Sequence, residues 1–152
     1  MLDSRISMGG GLLLCALALG ACSTQPMTMS DATAMSARLS GASEVPPTAS
    51  SASGSVEASL DKKSNELSWT VTYSGLSGPA TAAHFHGPAM PGANAGVVVP
   101  LTGGMASPMK GKSTLTPAQA ADLLAGKWYM NVHTTANPGG EIRGQVNTAN
   151  RP

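Results

Sequence analysis

The chain is poor in three residue classes that stabilise or identify many small proteins: cysteine, aromatic residues and charged residues. Its two cysteines among 152 residues are Cys15 and Cys22, both close to the N-terminus, so no disulfide is expected to cross-link the rest of the chain. Charged residues make up 11% and the formal net charge is +1, which leaves no basic surface for a nucleic acid. Packing, or a bound metal ion, must therefore hold the fold.

Glycine and proline, in contrast, are plentiful, at 18 and 11 residues. This balance, together with the 3% of aromatic residues, favours short strands joined by many turns over a helical bundle. The length favours one domain with one core. We therefore expect a single all-β domain.

The N-terminal segment has the features of an export signal. Arg5 precedes a short apolar run at residues 9–19, and the sequence Leu-Gly-Ala-Cys at 19–22 resembles a bacterial lipobox. The run is too short to cross a bilayer, which takes about 20 apolar residues. We predict a lipoprotein signal peptide at residues 1–21, acylation of Cys22, and export to the bacterial cell envelope, where the lipid anchors the protein to a membrane. An ordinary secretory signal that leaves a free thiol is the alternative.

Residues 22–36 are small and polar and have no hydrophobic periodicity, so they predict a flexible tether. A folded domain is expected over residues 37–148. Thioethers are soft ligands for Cu(I), so Met27, Met29 and Met35 offer a second interpretation of the tether as a copper-binding segment.

Alternation of apolar and polar residues predicts most of the strands. It is clearest at residues 55–60 and 67–73, which flank a short turn and therefore predict a hairpin. Residues 37–41 predict an edge strand, because Pro46 and Pro47 soon interrupt the alternation and proline cannot donate to a ladder. The apolar run at 97–101 predicts a buried strand.

Towards the C-terminus the chain predicts one helix and a last hairpin. Thr116 is the candidate N-cap, with Pro117 at the first helical position and Gln119 completing a capping box. The hairpin pairs residues 127–134 with 141–147 across a proline-glycine turn.

The three histidines carry the strongest chemical signal. His84 and His86 are two residues apart, so on a strand both rings leave the same face, opposite Ala83 and Phe85. His133 lies on the more polar face of the first strand of the last hairpin.

Three imidazoles match a site for copper, or zinc as second choice, with one position left open. Such a site requires the ring nitrogens to lie within about 4 Å of one another, because each ligand bond is near 2 Å. The alternative is that the histidines are ordinary polar residues of a solvated strand.

Other candidate ligands are weaker. Glu141 lies just after the turn, where in some registers it could accept a hydrogen bond from His133 and orient its ring; a solvated carboxylate or an ion pair with Arg143 is the alternative. Met90 and Met105 offer an axial thioether or simply cover apolar surface. A blue-copper site is excluded because it needs a cysteine thiolate. Neither a phosphate-binding glycine motif nor a nucleophile elbow occurs.

Several linked motifs resemble those of the CHRD domain, a module first named from chordin. They lie at residues 39–47, 69–76, 82–88, 115–119 and 131–145. The resemblance covers residues 37–147 and implies a β-sandwich or barrel of immunoglobulin-like character.

A more distant resemblance is to copper-zinc superoxide dismutases, Greek-key barrels with two histidines on one strand and a third on a late strand. It implies that His84, His86 and His133 are copper ligands. The chain has no fourth histidine and no histidine-rich zinc loop, so a single metal is expected.

These observations predict an all-β, Greek-key, immunoglobulin-like or superoxide dismutase-like β-sandwich or barrel with one short helix. We expect a cell-envelope lipoprotein that holds, delivers or redox-cycles one copper ion through His84, His86 and His133. A metal-free adhesion or scaffold module is the alternative from another functional class. A copper-dependent oxidoreductase of superoxide dismutase type is a further one.

Overall fold

The alternating stretches of the sequence form eight strands in the computed structural model, which describes residues 31–149. Their bounds are β1 Ala32–Ser40, β2 Ser53–Asp61, β3 Glu66–Ser74, β4 Ala80–His86, β5 Val97–Pro100, β6 Met109–Thr114, β7 Trp128–Thr134 and β8 Ile142–Thr148. A short 3-10 helix, Gly41–Ser43, follows β1, and one α-helix, α1 at Pro117–Leu124, precedes β7. None of the helices between residues 31 and 149 is long and apolar enough to cross a membrane.

All eight strands belong to one antiparallel sheet in the order β5-β4-β7-β8-β1-β2-β3-β6. The return of β7 to the side of β4, after β5 and β6, is a Greek-key connection. The sheet curls into a nearly closed barrel that is open between its two edge strands, β5 and β6. This confirms the predicted all-β barrel with one short helix.

The barrel interior is filled by the inward half of each alternating strand. Phe85 at its centre is fully buried, and its ring meets that of Trp69 edge to face at a centroid distance of 5.3 Å. The hairpin predicted from alternation forms, since β2 and β3 pair along their whole length. Its inward residues Val56, Leu60, Leu67 and Val71 are all fully buried.

The start of the domain differs from the prediction. Strand β1 begins at Ala32, so residues 32–36, assigned to the flexible tether, pair with β2 instead. Met35, considered as a copper ligand, is 3% exposed and belongs to the apolar core. The predicted signal peptide, Cys22, Met27 and Met29 lie outside the described residues.

The prediction that residues 37–41 form an edge strand was also wrong. Strand β1 is not an edge strand, because it lies between β8 and β2; the prolines at 46 and 47 come after it and leave its ladder intact. The edge strands are β5, which pairs with β4 alone, and β6, which pairs with β3 alone. Only half of β5 is covered, with Val99 buried and Val97 51% exposed.

Helix α1 begins as its sequence predicts. Thr116 accepts a hydrogen bond from the backbone N–H of Gln119, and the Gln119 side chain accepts one from the backbone N–H of Thr116. Pro117 occupies the first turn. The helix buries Ala120 and Leu123 against the barrel and leads directly into β7.

Candidate metal centre

The pairing of β4 with β7 brings the three histidines together. In the antiparallel register, His84 lies opposite Asn131 and His86 lies opposite Tyr129, while His133 lies opposite Ala82. Ala83 and Phe85 point into the core and are almost fully buried, so His84 and His86 share the outer face, as predicted. His133 shares that face because it is two residues from Asn131 on the same strand.

The three rings form a group that could hold a metal ion. One ligand nitrogen from each residue lies within 4.8 Å of the other two, which is wider than the 4 Å expected from the sequence. The nearest pair is Nδ1 of His84 and Nε2 of His133, 3.1 Å apart. His86 and His133 are 8% and 9% exposed, and His84 is more accessible than either. The group therefore faces solvent on its His84 side.

Backbone carbonyls fix the orientation of two of the rings. Nδ1 of His86 lies 3.0 Å from the carbonyl oxygen of Ala95, and Nδ1 of His133 lies 3.0 Å from that of Pro138. A carbonyl oxygen can only accept, so Nδ1 of each ring donates to it and Nε2 is the nitrogen turned away from the carbonyl. Histidine ligands of metal ions are usually held in this way. The residues present therefore fit a metal ion.

Burial keeps the rings in the form that binds metal. It lowers the pKa of His84, and the neighbouring rings of His133 and His86 lower it further when they are charged. Burial also lowers the pKa of His133, with the hydrogen bond to Pro138 acting in the opposite direction. Both rings therefore stay neutral at neutral pH, as coordination requires.

The loop at residues 87–96 folds back over this face and is held by a stack of three side chains. The ring of Tyr129 lies parallel to that of His86 at a centroid distance of 4.7 Å, and the Arg143 guanidinium lies 3.3 Å from the Tyr129 ring centroid. Arg143, 2% exposed, donates to the carbonyl of Ala93 at 2.6 Å and to Oδ1 of Asn94 at 2.9 Å. The stack thereby positions the Ala95 carbonyl that orients His86.

Asn131 is the residue of this site that the sequence did not single out. It is 3% exposed, and its Oδ1 lies 3.0 Å from Nε2 of His86 and 2.9 Å from Nε2 of His133. The alternation of β7 had placed it on the histidine face. Its position between the two rings depends on the register of β4 against β7, which no local pattern specifies.

Glu141 does not act on His133, whose Nδ1 bonds to the Pro138 carbonyl instead. It is neither solvated nor paired with Arg143: it is fully buried. Its carboxylate accepts hydrogen bonds from the side chains of Ser50, Ser77 and Thr134 at 2.6–2.7 Å, and from the backbone N–H of Ser77 at 2.8 Å. Burial alone would raise the pKa of Glu141, but these bonds outweigh it and lower the pKa to about 2.

The two loop methionines differ in their burial. Met90 is 62% exposed. Met105 packs against the apolar core, and its carbonyl accepts a hydrogen bond from the Tyr73 hydroxyl. Met105 therefore covers apolar surface, one of the two roles considered for it.

Comparison with known proteins identifies the family. No curated protein and no solved structure matches the chain. The CHRD domain model matches residues 35–146, a span that contains the three histidines and six complete strands of the barrel, together with the greater part of β1 and β8. The chain therefore belongs to the CHRD domain family.

Proposed function

We propose that this domain binds a single copper ion through His84, His86 and His133. The observation that carries the proposal is the pair of hydrogen bonds from Nδ1 of His86 and His133 to backbone carbonyls. These bonds leave Nε2 of each ring as the nitrogen available to an ion, and Nε2 of His133 lies 3.1 Å from Nδ1 of His84. Polar residues on a solvated strand would not need this restraint.

Copper is preferred because all three side chains of the group are imidazoles. Imidazole binds copper and zinc well, and copper binds more tightly than zinc to the same nitrogen ligands. Zinc remains the second choice. Copper supplies one-electron chemistry when it is bound, and the accessible side at His84 would admit a small molecule.

The predicted lipobox assigns this function to the cell envelope, where the protein would hold, deliver or redox-cycle copper. A dismutase-type activity would need the bound ion to alternate between Cu(II) and Cu(I). The second candidate is a metal-free adhesion or scaffold module. It is favoured by the contact between the rings of His84 and His133, which can form without any ion as an ordinary hydrogen bond.

The experiment is a titration of the full-length protein in detergent with Cu(II), Cu(I) and Zn(II), together with the paramagnetic resonance spectrum of the Cu(II) form. We expect copper binding tighter than micromolar and nitrogen hyperfine structure. His84→Ala and His133→Ala are each expected to weaken binding by at least about 10-fold. Thr81→Ala, an exposed change on the same strand, is the control and should bind as the parent does. Binding no tighter than micromolar, or unchanged in both histidine variants, would favour the metal-free module.

A further inference from the structure

We propose that Asn131 supplies a fourth ligand atom, its side-chain oxygen Oδ1, and that Glu44 holds the amide in the orientation this requires. The inference rests on the proposed function, because it concerns the same ion. It adds an oxygen donor to a site that the sequence describes by its histidines alone, and it makes the site selective for divalent ions.

The distances around Asn131 are those expected between ligands of one ion. Two ligand atoms, each about 2.1 Å from a metal and separated by 90–109°, lie about 2.9–3.4 Å apart. Oδ1 lies 3.0 Å and 2.9 Å from Nε2 of His86 and His133, respectively. The His84 to His133 nitrogen distance is 3.1 Å. These three separations fall within the expected range, whereas the widest distance among the three histidine ligand atoms, 4.8 Å, exceeds it.

The chemistry of these atoms also suits a cation bound between them. With Nδ1–H donated to a carbonyl, the rings of His86 and His133 can each present a lone pair from Nε2. Oδ1 of Asn131 is an acceptor as well. In the form that binds metal, both Nε2 atoms and Oδ1 present lone pairs to one point, where Nδ1 of His84 beside Nε2 of His133 is the nearest possible donor. A bound cation would stabilise this arrangement.

Glu44 prevents the obvious relief, which is rotation of the Asn131 amide by half a turn. Glu44 is 5% exposed, and its Oε1 and Nδ2 of Asn131 both lie so close to Gly140 that a Cβ there would clash with them. Rotation would replace Nδ2 with Oδ1 beside this carboxylate, and the two oxygens would repel each other. The amide nitrogen is therefore held towards Glu44 and the amide oxygen towards the histidines.

The buried carboxylate of Glu44 is otherwise unexplained. Its Oε1 is the one buried side-chain polar atom within residues 31–149 that has no hydrogen-bond partner. Burial raises the pKa of Glu44, against the opposing effect of the Arg143 charge. Arg143, whose charge acts on Glu44, also holds the loop over His86. Glu44 therefore acts as a positioning residue.

The consequence is selectivity between oxidation states. A carboxamide oxygen is a hard donor, which suits Cu(II) and Zn(II), whereas Cu(I) prefers soft ligands. Loss of Oδ1 should therefore weaken the binding of divalent ions more than that of Cu(I).

The test compares Asn131→Leu, which keeps the size and removes the oxygen, with Asn131→Asp, which keeps an oxygen donor. In the full-length protein we expect Asn131→Leu to weaken Cu(II) binding by at least about 10-fold and Cu(I) binding by less than about threefold. The Cu(II) resonance should change while its nitrogen hyperfine structure stays. Asn131→Asp places its second oxygen beside Glu44 and is therefore tested together with Glu44→Gln; this double variant should retain tight Cu(II) binding. Asn147→Leu, on β8 and outside the site, is the matched control.

A second pair of variants tests Glu44. Glu44→Gln keeps an acceptor for the Asn131 amide and should bind Cu(II) within about threefold of the parent, whereas Glu44→Leu should weaken Cu(II) binding by about 10- to 100-fold. This pair decides the question if Asn131→Leu fails to fold, as judged by circular dichroism.

A Cu(II) affinity and spectrum unchanged by Asn131→Leu would overturn the inference and leave the three-histidine site intact. Failure of the proposed function would give a different result: the parent protein would bind no copper, or would bind it independently of His84 and His133.

Discussion

Glu141 illustrates how one buried residue ties together segments that are distant in sequence. Its carboxylate accepts hydrogen bonds from Ser50, Ser77 and Thr134, which lie in three different parts of the chain. A fourth contact is made by its backbone, since its carbonyl accepts from the Thr48 hydroxyl at 2.8 Å. Buried carboxylates are usually paired with a cation; here hydroxyl and amide donors take that role. The barrel end behind the histidines depends on this residue.

Replacing Glu141 by glutamine should destabilise the fold. The glutamine NH2 group would face hydroxyl and N–H donors, so at least one buried donor would lose its acceptor, at a cost of roughly 1–3 kcal/mol. The measurement is the free energy of unfolding in urea at neutral pH. Glu57→Gln on β2, where the side chain is exposed, is the control. A loss of stability no larger than in this control would show that Glu141 contributes little.

At the scale of the element, the β4–β7 pair and the loop after β4 define the site. Gly87 follows His86 directly, and a Cβ at this position would clash with Cδ1 of Trp128 and lie 2.7 Å from its Nε1. The indole is 1% exposed and has little room to yield. Glycine is therefore required where the loop leaves the histidine strand, because the backbone passes directly over a buried ring.

Gly87→Ala should both destabilise the protein and weaken metal binding. The added methyl group overpacks a filled region, which typically costs about 1–3 kcal/mol, and the displaced backbone would move His86. Thermal unfolding and a Cu(II) titration measure the two effects. Gly78→Ala is the matched control, because a Cβ there meets nothing within 4 Å. Equal behaviour of the two variants would contradict the packing argument.

At the scale of the whole molecule, Glu141 predicts how stability depends on pH. Its pKa is about 2 in the folded protein, against an ordinary value of 4.5. A lowered pKa means that the folded state favours the ionised form, so the stabilisation is fully present above about pH 4.5 and is lost as the pH falls towards 2. Unfolding free energies measured across this range should decrease with acid. The Glu141→Gln variant should show a smaller decrease, and an equal decrease in both proteins would refute the assignment.

Local patterns predicted those features of the fold that depend on neighbouring residues. The β2–β3 hairpin follows from alternation on both sides of a short turn, and the start of α1 follows from Thr116 and Gln119, whose hydrogen bonds close within one turn. The outward face of His84 and His86 follows in the same way, because strand periodicity fixes which residues oppose Phe85.

Position within the sheet depends on contacts between distant residues, and here prediction failed. Strand β1 seemed peripheral because prolines follow it, yet β8, more than a hundred residues later, covers its second edge. Met35 lies in a stretch without hydrophobic periodicity and is nevertheless buried, because the pairing of β1 with β2 turns it into the barrel. No local signal distinguishes such a segment from a tether.

The candidate metal centre likewise combines features that local sequence sets with features that depend on tertiary contacts. The sequence by itself determined that His84 and His86 leave one face of a strand and that His133 and Asn131 share a face of another, because side-chain direction follows from strand period alone. Only the tertiary structure decided that the two faces meet, that carbonyls of Ala95 and Pro138 orient the rings, and that Oδ1 of Asn131 lies between two of them. The physical reason is that strand register and loop placement are set by packing between segments far apart in the chain.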